Sequence, residues 1–407
     1  MTAIAAPRSG AAVNLLLTGL VAFQAISTDL YLASLPTMVQ VFATSEATVQ
    51  LTLSVFLLGS ALMQLAYGPI SDRFGRRPVL RVAIALYVAA SLACAMAPTI
   101  EALIFFRLMQ AVGSCAGVTL GRAVARDLYS PVVAARVLAY MASAMAIAPI
   151  IGPMLGSWMT VHLGWQANFL FLAGFGAICL IGLYTLLDET NLHPDPHAIA
   201  PKRILANYLS LLGDRVYLGY ALAVTLAYCG IFSFISGSSF TLIDVLGLPT
   251  EYFGFCFGAA AAGYSIGALT AGKLIQRFGI ERMVTAGTLI SAVFGVLGAA
   301  LAWAGIANVW AVLLPFIVVM AGIGFTLPAG IAGAIGPYPR MAGAASAMVG
   351  FLQLGIAAAV GVGVGQILDG TTRPMTSAVA VVSVIGLVSF WALVKRAPKR
   401  PAPSHSA

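Results

Sequence analysis

Twelve apolar runs, separated by short polar loops, constrain the fold of this chain more than any other feature. A helix that crosses a lipid bilayer needs about 20 consecutive apolar residues. Backbone polar groups inside the bilayer find no water, so each run is expected to be an α-helix. We therefore predict an all-α membrane protein of twelve transmembrane helices, arranged as two bundles of six. The runs lie at roughly 13–35, 47–67, 79–97, 100–121, 137–160, 166–187, 216–241, 252–271, 283–304, 308–333, 341–367 and 374–394.

The composition excludes a water-soluble protein. Hydrophobic residues make up 60% of the chain and charged residues 8%, whereas soluble domains carry about 25% charged residues. The formal net charge of +8 could suggest nucleic acid, but the basic residues lie between apolar runs, so we expect no nucleic-acid partner. The cysteines form no CxxC pair and no GxxxxGK[ST] motif is present, so we expect no metal, no cofactor and no direct use of ATP.

The basic residues predict the orientation of the chain in the membrane. All of the 21 lysines and arginines except Arg107 and Arg373 fall in the loops and tails of one side, and that side is normally cytoplasmic. Both termini are therefore expected in the cytoplasm. The predicted organisation is an N-terminal bundle (1–187), a cytoplasmic linker (188–215), a C-terminal bundle (216–396) and a disordered cytoplasmic tail (397–407).

A short loop rich in glycine and arginine occurs once in each half. The first copy, Gly68–Pro78, reads GPISDRFGRRP, and the second, Gly272–Arg282, reads GKLIQRFGIER. We expect Gly68 and Pro69 to end a helix and Gly75 to allow a tight reversal. Any short inner loop collects arginines, but a repeated string is more specific and is typical of transporters built from two related halves.

The charged residues of the first loop differ from those of the second. The carboxylate of Asp72 can meet a helix N-terminus or a neighbouring arginine, while Arg73, Arg76 and Arg77 face the anionic lipids of the cytoplasmic side. The second copy has Gln276 in place of the aspartate. We therefore expect the loop of the first half to form stronger ionic contacts than the loop of the second half.

Two ionisable residues interrupt the apolar runs, Asp29 in the first and Arg107 in the fourth. Such residues are costly in lipid and usually mark transport pathways or proton relays. A rise of 1.5 Å per residue puts both at a similar depth, about 10 Å below the outer surface. They can share a cavity there, or each can act alone near its own loop. Our hypothesis is that Asp29 carries a proton inward while Arg107 and the substrate modulate that step.

The fifth run combines prolines with closely spaced small residues. Prolines bend a membrane helix, and Gly152 and Gly156 form a small-xxx-small face for close packing. A kinked helix without further function would have the same features. The residues of interest in this run are Pro149, Gly152, Pro153 and Gly156.

Several aromatic and uncharged polar residues within the runs are candidates for a substrate cavity. Aromatic rings combined with small polar groups suit a pocket for partly apolar ligands, although an aromatic run in a membrane helix more often faces lipid. The candidates are Tyr31, Gln110, Tyr228, Phe232, Phe234 and Gln353.

The repeated loop resembles a signature of the major facilitator superfamily, whose first inner loop reads GxxxDRxGRR. In that family the loop latches helices on the cytoplasmic side when the protein faces outward. The resemblance implies a twelve-helix fold with a central cavity. The matching residues, and thus the predicted conformational latch, are Gly68, Asp72, Arg73, Gly75, Arg76 and Arg77.

Three further strings resemble the drug:proton antiporters of that family. Asp29–Pro36 is similar to their helix-1 signature. Arg107–Gly113 is similar to their RxxQGxG motif, with Ala111 in place of a glycine, and the motif's arginine is implicated in proton transfer. Ala148–Gly156 resembles the helix-5 motif GxxxGPxxGG, which is associated with export.

With the turn Gly164–Phe169, these strings resemble the bicyclomycin/chloramphenicol-resistance (Bcr/CflA) branch. The implied function is export of small drug-like molecules across a bacterial inner membrane, driven by protons, by a protein that we expect to be a monomer in the lipid bilayer. Export of a metabolite such as an amino acid or nucleoside, and proton-coupled import, are alternatives. A polytopic sensor or membrane enzyme would require a catalytic cluster or a soluble domain, and the sequence contains neither.

Overall fold

The computed structural model describes residues 10–192, 194–196, 198–338 and 341–395. Regular structure in these residues is helical, and twelve helical segments are long and apolar enough to cross a membrane, which confirms the predicted all-α fold. The predicted disordered tail, 397–407, lies outside the described residues. The α-helices are α1 (Ala11–Asp29), α2 (Leu35–Val41), α3 (Glu46–Phe74), α4 (Arg76–Ala95), α5 (Ile100–Leu128), α6 (Pro131–Leu163), α7 (Gln166–Thr185), α8 (Pro201–Leu212), α9 (Arg215–Ser239), α10 (Thr250–Phe278), α11 (Ile280–Trp303), α12 (Val309–Ile335), α13 (Ala342–Ile367) and α14 (Arg373–Phe390).

The first span is interrupted rather than continuous. α1 ends at Asp29, a short 3₁₀ turn follows at Leu32–Ser34, and α2 completes the span. Pro36 lies in the first turn of α2, where its missing amide hydrogen costs nothing because that amide has no helical partner. The break places the carboxylate of Asp29 at a helix end inside the membrane.

The prediction that Gly68 and Pro69 end the second span is wrong, because α3 continues through Pro69 to Phe74. Proline has no amide hydrogen, so the carbonyl of Leu65, four residues earlier, loses its helical partner. The hydroxyl of Tyr208 on α8 donates to that carbonyl at 3.5 Å. The helix ends instead at Gly75, whose φ of +94° lies in the region that favours glycine.

The spans alternate in direction, so the turns at Gly75 and Gly279 lie at the same end of the bundle, which we call the basic end. The opposite end, called the distal end, holds the 3₁₀ turn Leu32–Ser34. The two halves meet where α3 packs along α13 and α6 packs along α10. At the distal end the 3₁₀ turn and α2 also contact α9, α10 and the π-helical turn Phe240–Val245. The distal end is therefore closed, and a cavity of about 450 Å³ lies between the halves at the basic end.

The segment between the halves contains a helix of its own. α8 packs against α9 and α13, and Leu211 on α8 is fully buried. Tyr208 on the same helix reaches α3 of the first half. The predicted linker 188–215 thus includes an ordered helix that contacts both halves.

Close packing of α10 against α12 depends on the absence of a side chain at Gly267. A Cβ at this position would overlap the backbone of Ala321. Gly272, five residues later on the same helix, has no neighbouring atom within 4 Å of the corresponding position. The two glycines therefore form a matched pair for testing the packing.

Gly267→Ala is expected to lower the free energy of unfolding by about 1–3 kcal/mol, because the two helix backbones must separate to admit the methyl group. Gly272→Ala is expected to be neutral or to stabilise by about 0.5–1 kcal/mol, since alanine is the better helix former. Thermal unfolding of the purified proteins in detergent measures both effects. Equal melting temperatures for the two variants would contradict the packing described for α10 and α12.

Candidate functional site

Arg107 on α5 is fully buried in the first half of the chain, with 0% of its surface exposed. Its Nη1 donates to the carbonyl of Ser27 at 3.1 Å and to the side-chain oxygen of Gln110 at 2.5 Å. Its Nε donates to the carbonyl of Thr52 at 3.4 Å. Gln110 follows Arg107 by three residues, so both side chains lie on one face of α5. The RxxQ spacing thus places an amide acceptor beside the buried guanidinium.

Aromatic rings surround the remaining surface of this guanidinium. Its central carbon lies 4.2 Å from the ring centroid of Phe56, 4.4 Å from that of Tyr31 and 5.8 Å from that of Phe169. The face of an aromatic ring attracts a cation, most strongly where water is excluded. In the described part of the chain no carboxylate lies within 4.0 Å of Arg107, and its Nη2 has no hydrogen-bond partner. Carbonyl oxygens, one amide and π faces therefore stabilise this buried charge.

A hydrogen-bond network extends from Arg107 to α4. The amide nitrogen of Gln110 donates to the Ser91 hydroxyl at 2.7 Å, and that hydroxyl donates to the carbonyl of Tyr87 at 2.7 Å. The hydroxyls of Tyr87 and Ser27 are 2.7 Å apart. The network ties α1, α4 and α5 together within two residues of Asp29.

Asp29 is the last residue of α1 and is 4% exposed. It forms no ion pair with Arg107, although Arg107 binds the carbonyl of Ser27 two residues before it. It lies within electrostatic reach of Tyr228 on α9, in the second half. Asp29 therefore lies where the two halves meet, while Arg107 lies within the first half.

The glycines of α6 allow that helix to lie directly against the end of α1. A Cβ at Gly156 would overlap the carbonyl of Leu30, and a Cβ at Gly152 would lie 3.4 Å from the Cβ of Asp29. Pro149 and Pro153 are inside the same helix. The antiporter-like string thus packs on the segment that carries the aspartate.

The candidates for a substrate cavity fall into separate environments. Tyr31 and Gln110 belong to the Arg107 cluster, and the Tyr31 hydroxyl lies 3.0 Å from that of Thr52. Tyr228 is half-buried beside Asp29. The structure thus brings Tyr31 and Gln110 together at Arg107, and leaves Tyr228 outside that cluster.

The other three candidates lie in the second half. Phe234 stacks on Phe316 of α12 with ring centroids 3.9 Å apart. Phe232 is fully buried against α13, where its ring would meet a Cβ at Gly361. Gln353 is half-buried on α13. The two phenylalanines therefore contribute to helix packing in this conformation.

Among the predicted latch residues, Arg76 pairs with two carboxylates and Arg77 contacts a backbone carbonyl. Asp72 and Arg76 form an ion pair at 2.5 Å, and the Nε of Arg76 lies 3.2 Å from the carboxylate of Asp127 at the end of α5. The side chain of Arg77 donates to the carbonyl of Tyr184. Arg73 is exposed over the ring of its neighbour Phe74, and Gly68 has open space around it.

Glu189, which the sequence analysis missed, caps the first turn of α4. Gly75 has no side chain with which to cap the helix, and the carboxylate of Glu189 accepts hydrogen bonds from the amides of Arg76 at 2.9 Å and Arg77 at 3.0 Å. The side chain of Asn191 donates to the carbonyl of Asp72 at 2.9 Å. Two features of the sequence point to this cap. The helix follows a glycine, which has no capping side chain, and an acidic residue follows shortly after the sixth apolar run.

The second copy of the loop lacks these acidic contacts. Gly279 has a φ of +80°, like its counterpart in the first half, and Arg277 lies over the ring of Phe278 at 5.3 Å. Neither Arg277 nor Arg282 forms an ion pair with any described residue. The two loops share their backbone geometry and differ in their charge partners.

A cavity of about 450 Å³ opens between the halves at the basic end. Its walls include Asp72 and Arg76 of the latch, together with Arg122 and Arg126 of α5. From the sequence, the last two were expected in an inner loop and in no site. The cavity lies between α3 and α5 of the first half and α13 of the second half.

Comparison with known proteins places the chain among transporters. The family model described as Major Facilitator Superfamily matches residues 17–361. The chain is 28% identical to "Multidrug resistance protein D" of Escherichia coli (strain K12) over 83% of its own length and 84% of that protein. It is 24% identical to "Bicyclomycin resistance protein homolog" of Haemophilus influenzae, over 90% and 92% of the two chains.

A solved structure described as "Crystal structure of D-xylose-proton symporter" has the same fold. It superposes with a TM-score of 0.76 and covers 94% of this chain and 97% of its own, at 16% sequence identity. Identity at that level supports a shared fold and carries no statement about substrate. The names of the two relatives are consistent with the resemblance drawn from the Asp29–Pro36 and Gly68–Pro78 strings.

The cap by Glu189 can be tested with a neighbouring control. Glu189→Ala is expected to lower the free energy of unfolding by about 1–2 kcal/mol, because two amides at the start of α4 lose their acceptor. Asp188→Ala removes an exposed carboxylate and is expected to change it by less than about 0.5 kcal/mol. Thermal unfolding in detergent measures the difference, and equal losses in the two variants would show that Glu189 caps nothing.

Proposed function

The chain belongs to the major facilitator superfamily, and we propose that it exports small drug-like molecules in exchange for protons by alternating access. The observation that carries the proposal is the position of Asp29. Among the described residues it is the only buried carboxylate, and it lies where α1, α6 and α9 meet. Ionisable groups within membrane spans are costly and are retained for transport. The relatives named for multidrug and bicyclomycin resistance support the choice of cargo.

In the proposed cycle Asp29 binds a proton when the distal end is open. Asp29 releases that proton when the cavity at the basic end extends to the carboxylate. Cargo and proton move in opposite directions, so protonation of Asp29 favours release of cargo to the outside. Arg107 forms no ion pair with this carboxylate, because backbone carbonyls and aromatic rings hold its guanidinium within the first half. Its proposed role is to hold the end of α1 in place.

The latch is proposed to bias the two conformations. The ion pair of Asp72 with Arg76 and the contact of Arg76 with Asp127 link α3, α4 and α5 at the basic end. Asp72 also lines the cavity, whose opposite wall belongs to α13 of the second half. Closing the cavity brings these walls together, so the first loop is positioned to stabilise the outward-facing state.

The proposed orientation places the basic end in the cytoplasm of a bacterial cell, with both termini on the cytoplasmic side of the inner membrane. Positively charged loops are retained on the cytoplasmic side during insertion. The cavity that is open in this structure would then load cargo from the cytoplasm. No oligomeric contact is needed to complete this site, and we propose that the protein acts as a monomer.

Transport in everted membrane vesicles tests the coupling. With an acidic vesicle interior, the wild type is expected to accumulate the zwitterionic dye rhodamine 110, and Asp29→Asn is expected to reduce this accumulation to the level of vesicles without the protein. Glu251→Gln, an exposed carboxylate of α10, is the matched control and should transport like the wild type. Gradient-driven transport that survives in Asp29→Asn would contradict the role proposed for Asp29.

Cargo class is tested in cells. Expression in an efflux-deficient host is expected to raise resistance to several structurally unrelated drugs, and the Asp29→Asn variant is expected to lose that effect. Unchanged susceptibility to every compound, together with accumulation of an internal metabolite when the transporter is deleted, would instead assign metabolite export.

Reporter fusions test the orientation. Green fluorescent protein fused after residue 407 is expected to fluoresce, and alkaline phosphatase fused after Ala307, in the distal turn between α11 and α12, is expected to be active. Fluorescence requires the cytoplasm and phosphatase activity requires the periplasm. The reverse pattern would place the basic end outside the cell.

A further inference from the structure

Two arginines of α5 face the cavity at the basic end. Arg122 and Arg126 are one helical turn apart, and both are exposed on the cavity wall. Thr119 and Ala123 line the same wall. These positions are three or four residues apart, so they all lie on one face of α5, and that face lines the opening. The two guanidinium groups therefore project into the space that a cargo molecule would enter.

Neither arginine has a carboxylate partner in the described part of the chain. Arg122 makes a weak contact with the sulfur of Met145 at 3.4 Å, and no ion pair within 4.0 Å among the described residues involves Arg122 or Arg126. The other cationic side chain of the cavity wall that the structure describes, Arg76, is already paired with Asp72. Asp195 also lines the cavity and has a partner of its own. The cavity thus carries two unneutralised positive charges side by side.

The wall opposite the arginines adds to the positive potential. It is formed by the first turns of α13, Ala342–Ala347, which begin without a side-chain cap. The free amides at a helix start carry a partial positive charge. Because α13 belongs to the second half, an anion in the cavity can contact both halves at once.

We propose that this cavity binds an anionic group, and that the exported molecules carry a carboxylate or phosphate. An anion between Arg122 and Arg126 relieves the repulsion between them and gains charge-assisted hydrogen bonds. A purely cationic drug would meet repulsion at the same position. The inference rests on the proposed export function and narrows its cargo to anionic or zwitterionic small molecules.

Two dyes that differ in one group provide the test. Rhodamine 110 carries a free carboxylate, and rhodamine 123 is its methyl ester. Fluorescence polarisation with the purified full-length protein in detergent measures the binding of each dye. The wild type is expected to bind rhodamine 110 more tightly, and the double variant Arg122→Gln/Arg126→Gln is expected to weaken rhodamine 110 about tenfold while changing rhodamine 123 less than about twofold.

Three controls keep the result specific. Arg136→Gln removes an exposed arginine of α6 outside the cavity wall and should change neither dye. Arg122→Lys/Arg126→Lys keeps both charges and should retain the preference for rhodamine 110. Retained binding of rhodamine 123 by the glutamine double variant shows that it is folded.

Equal binding of the two dyes by the wild type, or equal weakening of both in the double variant, would overturn the anion site and leave the export function standing. A preserved preference in binding, with no pH-driven transport of either dye in vesicles, would overturn the export function instead.

A lipid headgroup carries the same chemistry as an anionic cargo, so the lipid is varied as well. Binding of rhodamine 110 is measured in nanodiscs of phosphatidylcholine alone and of phosphatidylcholine with phosphatidylglycerol. Similar affinities are expected. A loss of about tenfold or more caused by phosphatidylglycerol, seen in the wild type and absent in the double variant, would assign the arginines to a headgroup and overturn the cargo class.

Discussion

The arrangement of the first half depends on the contacts that stabilise the buried guanidinium of Arg107. A charge removed from water destabilises a protein by several kcal/mol unless other groups compensate it. Here the compensation comes from the carbonyls of Ser27 on α1 and Thr52 on α3, from Gln110, and from aromatic rings. These contacts come from α1, α3 and α5, so satisfying one cation fixes the relative positions of the three helices. The contact of Arg107 with the carbonyl of Ser27 also fixes the end of α1, where the first span breaks after Asp29.

This arrangement separates the structural role proposed for Arg107 from the proton-carrying role proposed for Asp29, which the sequence alone could not separate. Arg107 has its acceptors within the first half, whereas Asp29 faces α6 and Tyr228 at the junction of the halves. A carboxylate without a fixed cation can exchange its proton as the halves move, and a carboxylate locked in an ion pair cannot do so as readily. The separation is therefore consistent with a proton site whose surroundings change with conformation. The glycines of α6 complete it by admitting close contact with the end of α1.

The sequence was sufficient for features that depend on periodic or local chemistry. Apolar runs predicted the twelve spans, and the glycine at position 75 predicted the reversal after α3. It failed where a distant side chain compensates a local defect. Pro69 reads as a helix end, but Tyr208 binds the carbonyl that the proline leaves free. Likewise the cap of α4 comes from Glu189, more than one hundred residues later, and only the folded chain brings such groups together.

The central claim is that Asp29 alone carries the exchanged proton while Arg107 serves the structure. The most direct measurement is proton release when a transported dye is added to the purified protein in weakly buffered detergent solution. The wild type is predicted to acidify the solution, and Arg107→Lys is predicted to do so to the same extent per bound dye. Asp29→Asn is predicted to release no protons while still binding the dye. Equal proton release from Asp29→Asn and the wild type would contradict the account.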